Sequence, residues 1–278
     1  MSAIRLEGLT RHYGRTQALA SIDLEIASDR LTVFCGPPGS GKSVLFRLLV
    51  GLEKPDSGRI LLDTTDITSL PGDRRSIGYV PQSFALFPHM TVFDNIAYPM
   101  ALQGVARAEI ARRVDRAAAV LRIGPLLGKR PSQMSGGEKQ RAAIARGILK
   151  NANIFILDDP LVGLDFKLRE SLMEDLTEMR AELGASFLYA TSDPLEALMM
   201  AEDLVVMDAG RIVDAGTADR VYYRPQHLRA AELVGFPRCN VLHGRVHGGI
   251  CDTGLFRIPV AASAGEVLVV VDEESRDA

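Results

Sequence analysis

Leu31-Thr32-Val33-Phe34-Cys35-Gly36-Pro37-Pro38-Gly39-Ser40-Gly41-Lys42-Ser43 decides the fold. The nearly unbroken apolar run Leu31 to Cys35 suits a parallel strand buried on both faces. It leads directly into Gly36 to Ser43, which fits G-x-x-x-x-G-K-[ST] and opens the helical run Lys42 to Val50. In such a loop the glycines let backbone amides curl around β- and γ-phosphates, and the helix N-terminus adds positive potential. Lys42 bridges phosphate oxygens and Ser43 ligates Mg²⁺. Gly36, Pro37, Pro38, Gly39, Ser40, Gly41, Lys42 and Ser43 are therefore candidate nucleotide-binding residues. The loop alone specifies nucleotide binding and nothing finer, because kinases, GTPases and motor ATPases share it.

On either side the pattern extends. Ile154 to Leu157, Phe187 to Ala190 and Leu204 to Met207 are further short apolar runs, and Phe166 to Leu183 is a helical stretch, so the fold class is α/β, a P-loop NTPase core with a parallel sheet. Ile4 to Leu9 and Ile22 to Ile26 alternate apolar and polar residues, which predicts an N-terminal antiparallel β subdomain. Ala106 to Leu121 has helical periodicity with no buried strand after it, which predicts an inserted helical subdomain over about 88–135. After Pro225 the chain turns to Gly-broken β-like pieces at Asn240 to Val246, Leu255 to Val260 and Val267 to Val271. The expected division is a nucleotide-binding unit over 1–235 and a short C-terminal β appendage over 236–278.

Composition bounds the function without naming it. With 278 residues, 47% hydrophobic and 24% charged, the chain can bury one large core and a small appendage. A formal net charge of -3 offers no general attraction to nucleic acid or acidic lipid. No apolar run approaches the roughly 18 residues of a membrane helix, and the start lacks the pattern of a signal peptide, so a cytosolic location is expected. Cys35, Cys239 and Cys251 show no CxxC spacing and read as reduced thiols. His243, His247 and Cys251 recur every four residues, but in a strand-like stretch this spacing reads as coincidence rather than as a metal site.

Two further motifs sharpen the chemistry. Ile154-Phe155-Ile156-Leu157-Asp158 is a buried strand ending in a carboxylate, where such folds place the acid that holds the water shell of Mg²⁺. Met134-Ser135-Gly136-Gly137-Glu138-Lys139-Gln140-Arg141 precedes a helix and places a hydroxyl and glycine amides at its N-terminus, a second anion site suited to a γ-phosphate. This stretch resembles the signature of ABC transporter ATPases, and the resemblance runs from Ile4 to about Phe236.

The resemblance implies further roles. Tyr13 stands where an aromatic ring stacks on adenine. Gln82 matches a glutamine that touches Mg²⁺ and links to the membrane subunit, and Phe84 to Val92 resembles the segment that meets a permease. Chains of this family pair head to tail, so Ser135, Gly136, Gly137 and Gln140 of one copy would cap ATP held by the other. The implied cofactors are ATP and Mg²⁺. The implied partners are a second ATPase subunit, two transmembrane permeases and, indirectly, an external substrate-binding protein, with no nucleic acid. The implied location is the cytoplasmic face of the inner membrane, peripheral.

Four positions depart from the family pattern. Asp159 replaces the usual glutamate general base and is one methylene shorter. Ser192 stands in place of the switch histidine, Val44 in place of a threonine facing the α-phosphate, and Pro38 removes a loop amide. Since the signature stays largely intact, the expectation is a degenerate own half-site in the less active half of an ATPase heterodimer, the alternative being a slow homodimer. Leu204 to Ile212, Ala215 to Thr217 and Tyr222 to Pro225 resemble importers of the maltose and sugar-phosphate type. A carbohydrate or polyol, with glycerol a candidate, is the expected substrate class, and polyamine or ion import is the alternative. A non-transport ABC ATPase is disfavoured by the absence of coiled coils, zinc motifs or a second cassette.

Overall fold

The computed structural model describes residues 3–83, 86–150, 152–236, 240–261 and 264–271. The first part of the chain forms β1 (Ile4–Tyr13), β2 (Thr16–Ile26), β3 (Leu31–Cys35), α1 (Lys42–Val50), β4 (Ser57–Leu62), β5 (Thr65–Asp66) and β6 (Ile77–Val80). Three longer helices follow, α2 (Val92–Leu102), α3 (Arg107–Val120) and α4 (Gly136–Ile148), with short 3-10 turns between α3 and α4. The alternation then resumes with β7 (Ile154–Asp158), α5 (Phe166–Leu183), β8 (Ser186–Thr191), α6 (Pro194–Met200), β9 (Asp203–Asp208), β10 (Arg211–Thr217), α7 (Ala218–Tyr223) and α8 (Leu228–Val234). The last elements are β11 (Asn240–His247), β12 (Ile250–Asp252), β13 (Arg257–Pro259) and β14 (Ala264–Val271).

Three sheets result. The central one runs β10-β9-β3-β8-β7-β6 and is parallel except for its edge strand β10. The N-terminal hairpin joins β4 and β5 in an antiparallel sheet, β2-β1-β4-β5, and the C-terminal strands form β13-β12-β11-β14. The strands of the parallel sheet bury both faces, as their unbroken apolar runs require. Val33, Phe155, Leu157 and Phe187 join a core with α2 to α5, whereas Phe34, Ile154, Ile156 and Leu188 join one with α1 and the antiparallel sheet. α1 is thus held between two sheets, with Phe46 edge-on to Phe34 at 5.2 Å, a geometry worth about 0.5–1.5 kcal/mol beyond the area it buries.

α1 ends where Gly51 adopts φ 78°, and its last carbonyls meet a buried guanidinium. Arg75, 2% exposed, donates to the carbonyls of Leu48 (2.6 Å) and Leu49 (2.9 Å) as well as to Leu70 and Thr68. A cation at a helix C-terminus satisfies orphan acceptors and opposes the negative end of the dipole.

The helical stretch expected at Ala106 to Leu121 is α3, capped at those two residues. Of the segment expected to meet a permease, Phe84 and Ala85 lie outside the described residues. The rest is pinned by Asn95, fully buried, whose side chain accepts from the Phe87 amide at 2.7 Å and donates to the Phe87 carbonyl at 3.1 Å. In the C-terminal sheet the run expected at Leu255 to Val260 pairs only over Arg257–Pro259. His243 and His247 lie on the exposed face of β11. Cys251, opposite Val246, is buried on the other face, so the three side chains do not converge on one ion. Among the described residues, no helix is long and apolar enough to cross a membrane.

Candidate functional site: a phosphate-binding cavity

β3 delivers the chain to Gly36, where the backbone passes so close to β9 that a Cβ would lie 2.1 Å from the Met207 carbonyl oxygen. The loop closes at Gly41, φ 106°, where a Cβ would lie 2.8 Å from the Ala18 carbonyl oxygen. Both glycines are therefore demanded by close approach, and Gly41 by its backbone conformation as well. No side chain caps the N-terminus of α1 that follows, which leaves its first-turn amides and the positive end of its dipole for an anion. Lys42, 4% exposed, turns back so that its ammonium donates to the carbonyls of Gly36 at 2.7 Å and Pro37 at 3.3 Å. Burial lowers its pKa, against the pull of Asp159.

Residues 38–44 line a cavity of about 400 Å³ together with Ala18, Gln82, Asp159, Val162 and Ser192. Beneath its floor, Ser43 Oγ donates to Asp158 Oδ1 at 2.8 Å, and the Tyr79 hydroxyl donates to Asp158 Oδ2 at 3.2 Å. A hydroxyl beside a carboxylate is a hard oxygen pair of the kind Mg²⁺ takes, so the donor set fits that ion. The Tyr79 contact escaped the sequence reading, although a tyrosine on a strand beside the Asp158 strand was the signal that could have shown it.

Asp159 follows at φ 46°, a left-handed conformation, with its amide donating to the Ala190 carbonyl at 3.1 Å. Its Oδ1 is buried and has no hydrogen-bond partner among the described residues. Burial raises its pKa, Lys42 opposes, and the neighbouring Asp158 and Glu196 add to the rise. Glu196, 6% exposed, accepts from Thr191 Oγ1 at 2.7 Å and from the Tyr189 hydroxyl at 3.0 Å. Arg169 pairs with Glu196 at 3.3 Å and with Asp193 at 2.8 Å. This partly buried network holds the turn that presents the exposed Ser192 to the cavity. Glu196 went unnoticed in sequence, where it reads as an ordinary helical glutamate.

The cavity gathers Pro38 to Val44, Gln82, Asp159 and Ser192, with Asp158 bonded to Ser43. Tyr13 is not among its lining residues. The Arg11 guanidinium lies 4.9 Å over the Tyr13 ring, and the Tyr13 hydroxyl donates to Glu53.

The signature lies apart from this cavity. Ser135 caps α4 in a reciprocal box, with its amide on Glu138 Oε2 at 2.7 Å and its hydroxyl accepting from the Glu138 amide at 3.3 Å. Gly136 has open space where a Cβ would stand, whereas a Cβ on Gly137 would lie 2.5 Å from Leu168 Cδ2. These residues border a separate cavity of about 290 Å³, lined by Ser135, Gly137 and Glu138 among others. Gln140 corrects the expectation for it. It lies one turn beyond Gly136 on the inward face of α4, is 1% exposed, and so does not present its amide to a nucleotide.

A strand, a glycine-rich loop, an uncapped helix N-terminus and a strand-end aspartate hydrogen-bonded to the loop serine define a P-loop nucleotide-binding protein. The comparisons with known proteins agree and are finer. The ABC transporter profile matches residues 19–162. An sn-glycerol-3-phosphate import ATP-binding protein of Cupriavidus necator is 40% identical over 268 residues, covering 96% of this chain and 72% of its own. A protein of the same name from Pectobacterium atrosepticum is 38% identical, covering 90% and 71%. A spermidine/putrescine import ATP-binding protein of Aliivibrio fischeri is 38% identical, covering 84% and 63%. A dimeric ATP-binding cassette solved in a post-hydrolysis state with ADP and Pi superposes with a TM-score of 0.70 at 27% identity, covering 77% of this chain and 98% of that one. This chain belongs to the ABC transporter family. It is an ATP-binding, ATP-hydrolysing subunit whose cofactors are ATP and Mg²⁺.

Proposed function

We propose that this chain drives an importer of a carbohydrate or polyol derivative, with sn-glycerol 3-phosphate the first candidate. The observation that carries the proposal is 40% identity, spread over 96% of this chain, to a protein named for import of that solute. Polyamine import is the second reading, because a relative named for spermidine and putrescine import is 38% identical. Uptake assays in vesicles holding the assembled transporter separate the two. Stimulation of ATP turnover by sn-glycerol 3-phosphate and not by spermidine supports the first, and the reverse overturns it.

The roles follow from the geometry. Lys42 and the amides of the loop and of the first turn of α1 bind phosphate oxygens. Ser43 and Asp158, with Gln82 at the cavity wall, would hold Mg²⁺, which when bound neutralises charge on the β- and γ-phosphates. Asp159 orients water, and Ser135 to Gly137 serve the nucleotide of a neighbouring chain. The partners are two permeases, a second ATPase subunit and, through the permeases, an external binding protein, at the cytoplasmic face of the membrane. A docking site for a permease is supported by a cavity of about 390 Å³ bounded by Leu52 after α1, Pro99 in α2 and Arg146 in α4. Residues 1–235 act as the nucleotide-binding unit and 236–278 as a β appendage.

The own half-site is the weaker of two in a heterodimer. This reading is supported by Asp159 and Ser192, which line the cavity in place of longer or more basic groups, while Ser135 keeps an intact cap. Purified chain without a partner is expected to turn ATP over slowly. Brisk Mg²⁺-dependent hydrolysis by this chain alone overturns the heterodimer reading and leaves a homodimer.

A further inference from the structure

One helix, α5, touches both the Ser192 turn of the nucleotide cavity and the signature. Near its start, Arg169 pairs with Asp193 at 2.8 Å and with Glu196 at 3.3 Å, in the network beneath Ser192. One residue earlier, Leu168 fills the notch that Gly137 leaves in the signature, where a Cβ would lie 2.5 Å from Leu168 Cδ2. Further along α5, Asp175 receives the Arg141 guanidinium at 2.9 Å. Both groups are buried, Arg141 7% and Asp175 2% exposed. Arg141 Nη1 also donates to the Leu121 carbonyl at 2.9 Å, and Nη2 donates to Ser171 Oγ at 3.4 Å. The guanidinium therefore ties α4 to α5 and to the end of α3 through three acceptors. Arg122 adds a longer contact with Asp175, at 3.5 Å. On α4, Arg141 stands fewer than two turns beyond Ser135, so its anchorage is close to the signature.

Stability alone does not account for the pair. Burial raises the Asp175 pKa, Arg141 and Arg122 oppose, and Glu178 and Glu174 on the same helix add to the rise, so the carboxylate sits at a cost. Apolar residues of similar volume often match or better a buried ion pair in stability. An apolar contact, however, fixes neither the rotation nor the axial register of two helices, whereas a planar fork bonded to three acceptors fixes both. We propose that Arg141 and Asp175 are positioning residues for ATP hydrolysis, which hold the signature Ser135 to Gly137 in one register on α5 and so, through Arg169, relative to the Ser192 turn of the same chain. The proposal rests on the reading that this signature serves the nucleotide of a neighbouring chain. Neither side chain lines the nucleotide cavity, so ATP binding by this chain's own loop does not depend on them.

The test is steady-state ADP release by the assembled transporter carrying Arg141→Met/Asp175→Leu, with thermal unfolding and ATP binding of the isolated chain read in parallel. Tm is expected to hold or rise, since both charges leave together, and the ATP affinity of the isolated chain to stay unchanged. In the transporter kcat and kcat/KM are expected to fall together by roughly tenfold to a hundredfold, as a displacement of about 1 Å at a catalytic group implies. A purely structural pair would instead lower Tm and leave the turnover of folded transporter alone. Should the double variant fail to fold, Arg141→Lys carries the test, because it keeps the charge but loses the fork, and it is expected to slow turnover roughly tenfold with ATP binding unchanged. Ser135→Arg separates the two readings. If it abolishes turnover while the folded double variant or Arg141→Lys turns over like the parent, the positioning role is overturned and the role of the signature stands. If Ser135→Arg itself leaves turnover intact, the reading of the signature falls and the proposal with it.

Discussion

Replacing Asp159 by asparagine should make the nucleotide-free protein more stable at neutral pH while slowing hydrolysis. The carboxylate is held at a cost, since Oδ1 is buried without a partner and burial raises its pKa, although Lys42 and a hydrogen bond from the Ser192 backbone, which an asparagine oxygen can also accept, oppose the rise. An unsatisfied buried polar atom costs about 1–3 kcal/mol, more when it carries charge. The competing effect is loss of attraction to the Lys42 ammonium. That ammonium keeps its bonds to the Gly36 and Pro37 carbonyls in the variant, so the relief at Asp159 should win. The left-handed backbone at φ 46° is no obstacle, because asparagine adopts it as readily as aspartate. The sign of the pH dependence follows from a folded pKa above the unfolded value. Between the two values the folded state binds more protons, so Asp159 costs the parent stability increasingly as pH rises, and fully above the folded pKa. The gain in Asp159→Asn should therefore be largest at pH 7 to 8 and shrink toward about pH 4, where the unfolded group titrates. At about 2–4 °C per kcal/mol for a chain of this size, the shift in Tm is roughly 2 to 12 °C. Calorimetry of metal-free protein at several pH values reads it, and the slow turnover of the isolated chain should fall further, roughly 100-fold, as the water-orienting oxygen is lost, whereas the assembled transporter, driven by the partner's site, should lose far less. A lower Tm for the variant at pH 7, or a gain that does not change with pH, would refute the reasoning.

Three other outcomes follow from the same geometry. Asp158→Asn turns one acceptor of the Ser43 and Tyr79 hydroxyls into a donor facing a donor, so Mg²⁺-dependent turnover should fall at least roughly tenfold to a hundredfold, measured as ADP release against Mg²⁺ concentration. Arg75→Met strands the carbonyls of Leu48, Leu49, Leu70 and Thr68, and should lower stability by about 3–5 kcal/mol, read as a reduced urea midpoint. Ser135→Ala removes the cap of α4 and should cost about 1 kcal/mol in the isolated chain, whereas in the assembled transporter it should also slow turnover at the partner's site.

What the sequence determined by itself was local. The apolar run before Gly36, the glycine spacing of the loop and the helical run after Lys42 predicted a strand, a phosphate loop and a helix, and these stand as β3, residues 36–43 and α1. Each depends on neighbours a few residues away, where periodicity and turn chemistry act. β6 was missed for a tertiary reason. Gly78 reads as a breaker, yet it sits in the strand because a Cβ there would lie 2.3 Å from Phe155 Cδ1, a contact with a residue far along the chain.

The site divides in the same way. Asp158 at a strand end was legible, but its bonds to Ser43 and Tyr79 exist because β6 and β3 both lie near β7 in the order β10-β9-β3-β8-β7-β6, and strand order is not written in any one strand. Gln140 looked like part of a binding motif until the rotation of α4 turned it inward. The orphaned oxygen of Asp159, the buried Glu196 beneath Ser192 and the separation of the signature from the phosphate loop are likewise facts of packing. They arise where separate segments of the chain meet, and there only the folded chain decides which polar atoms find partners.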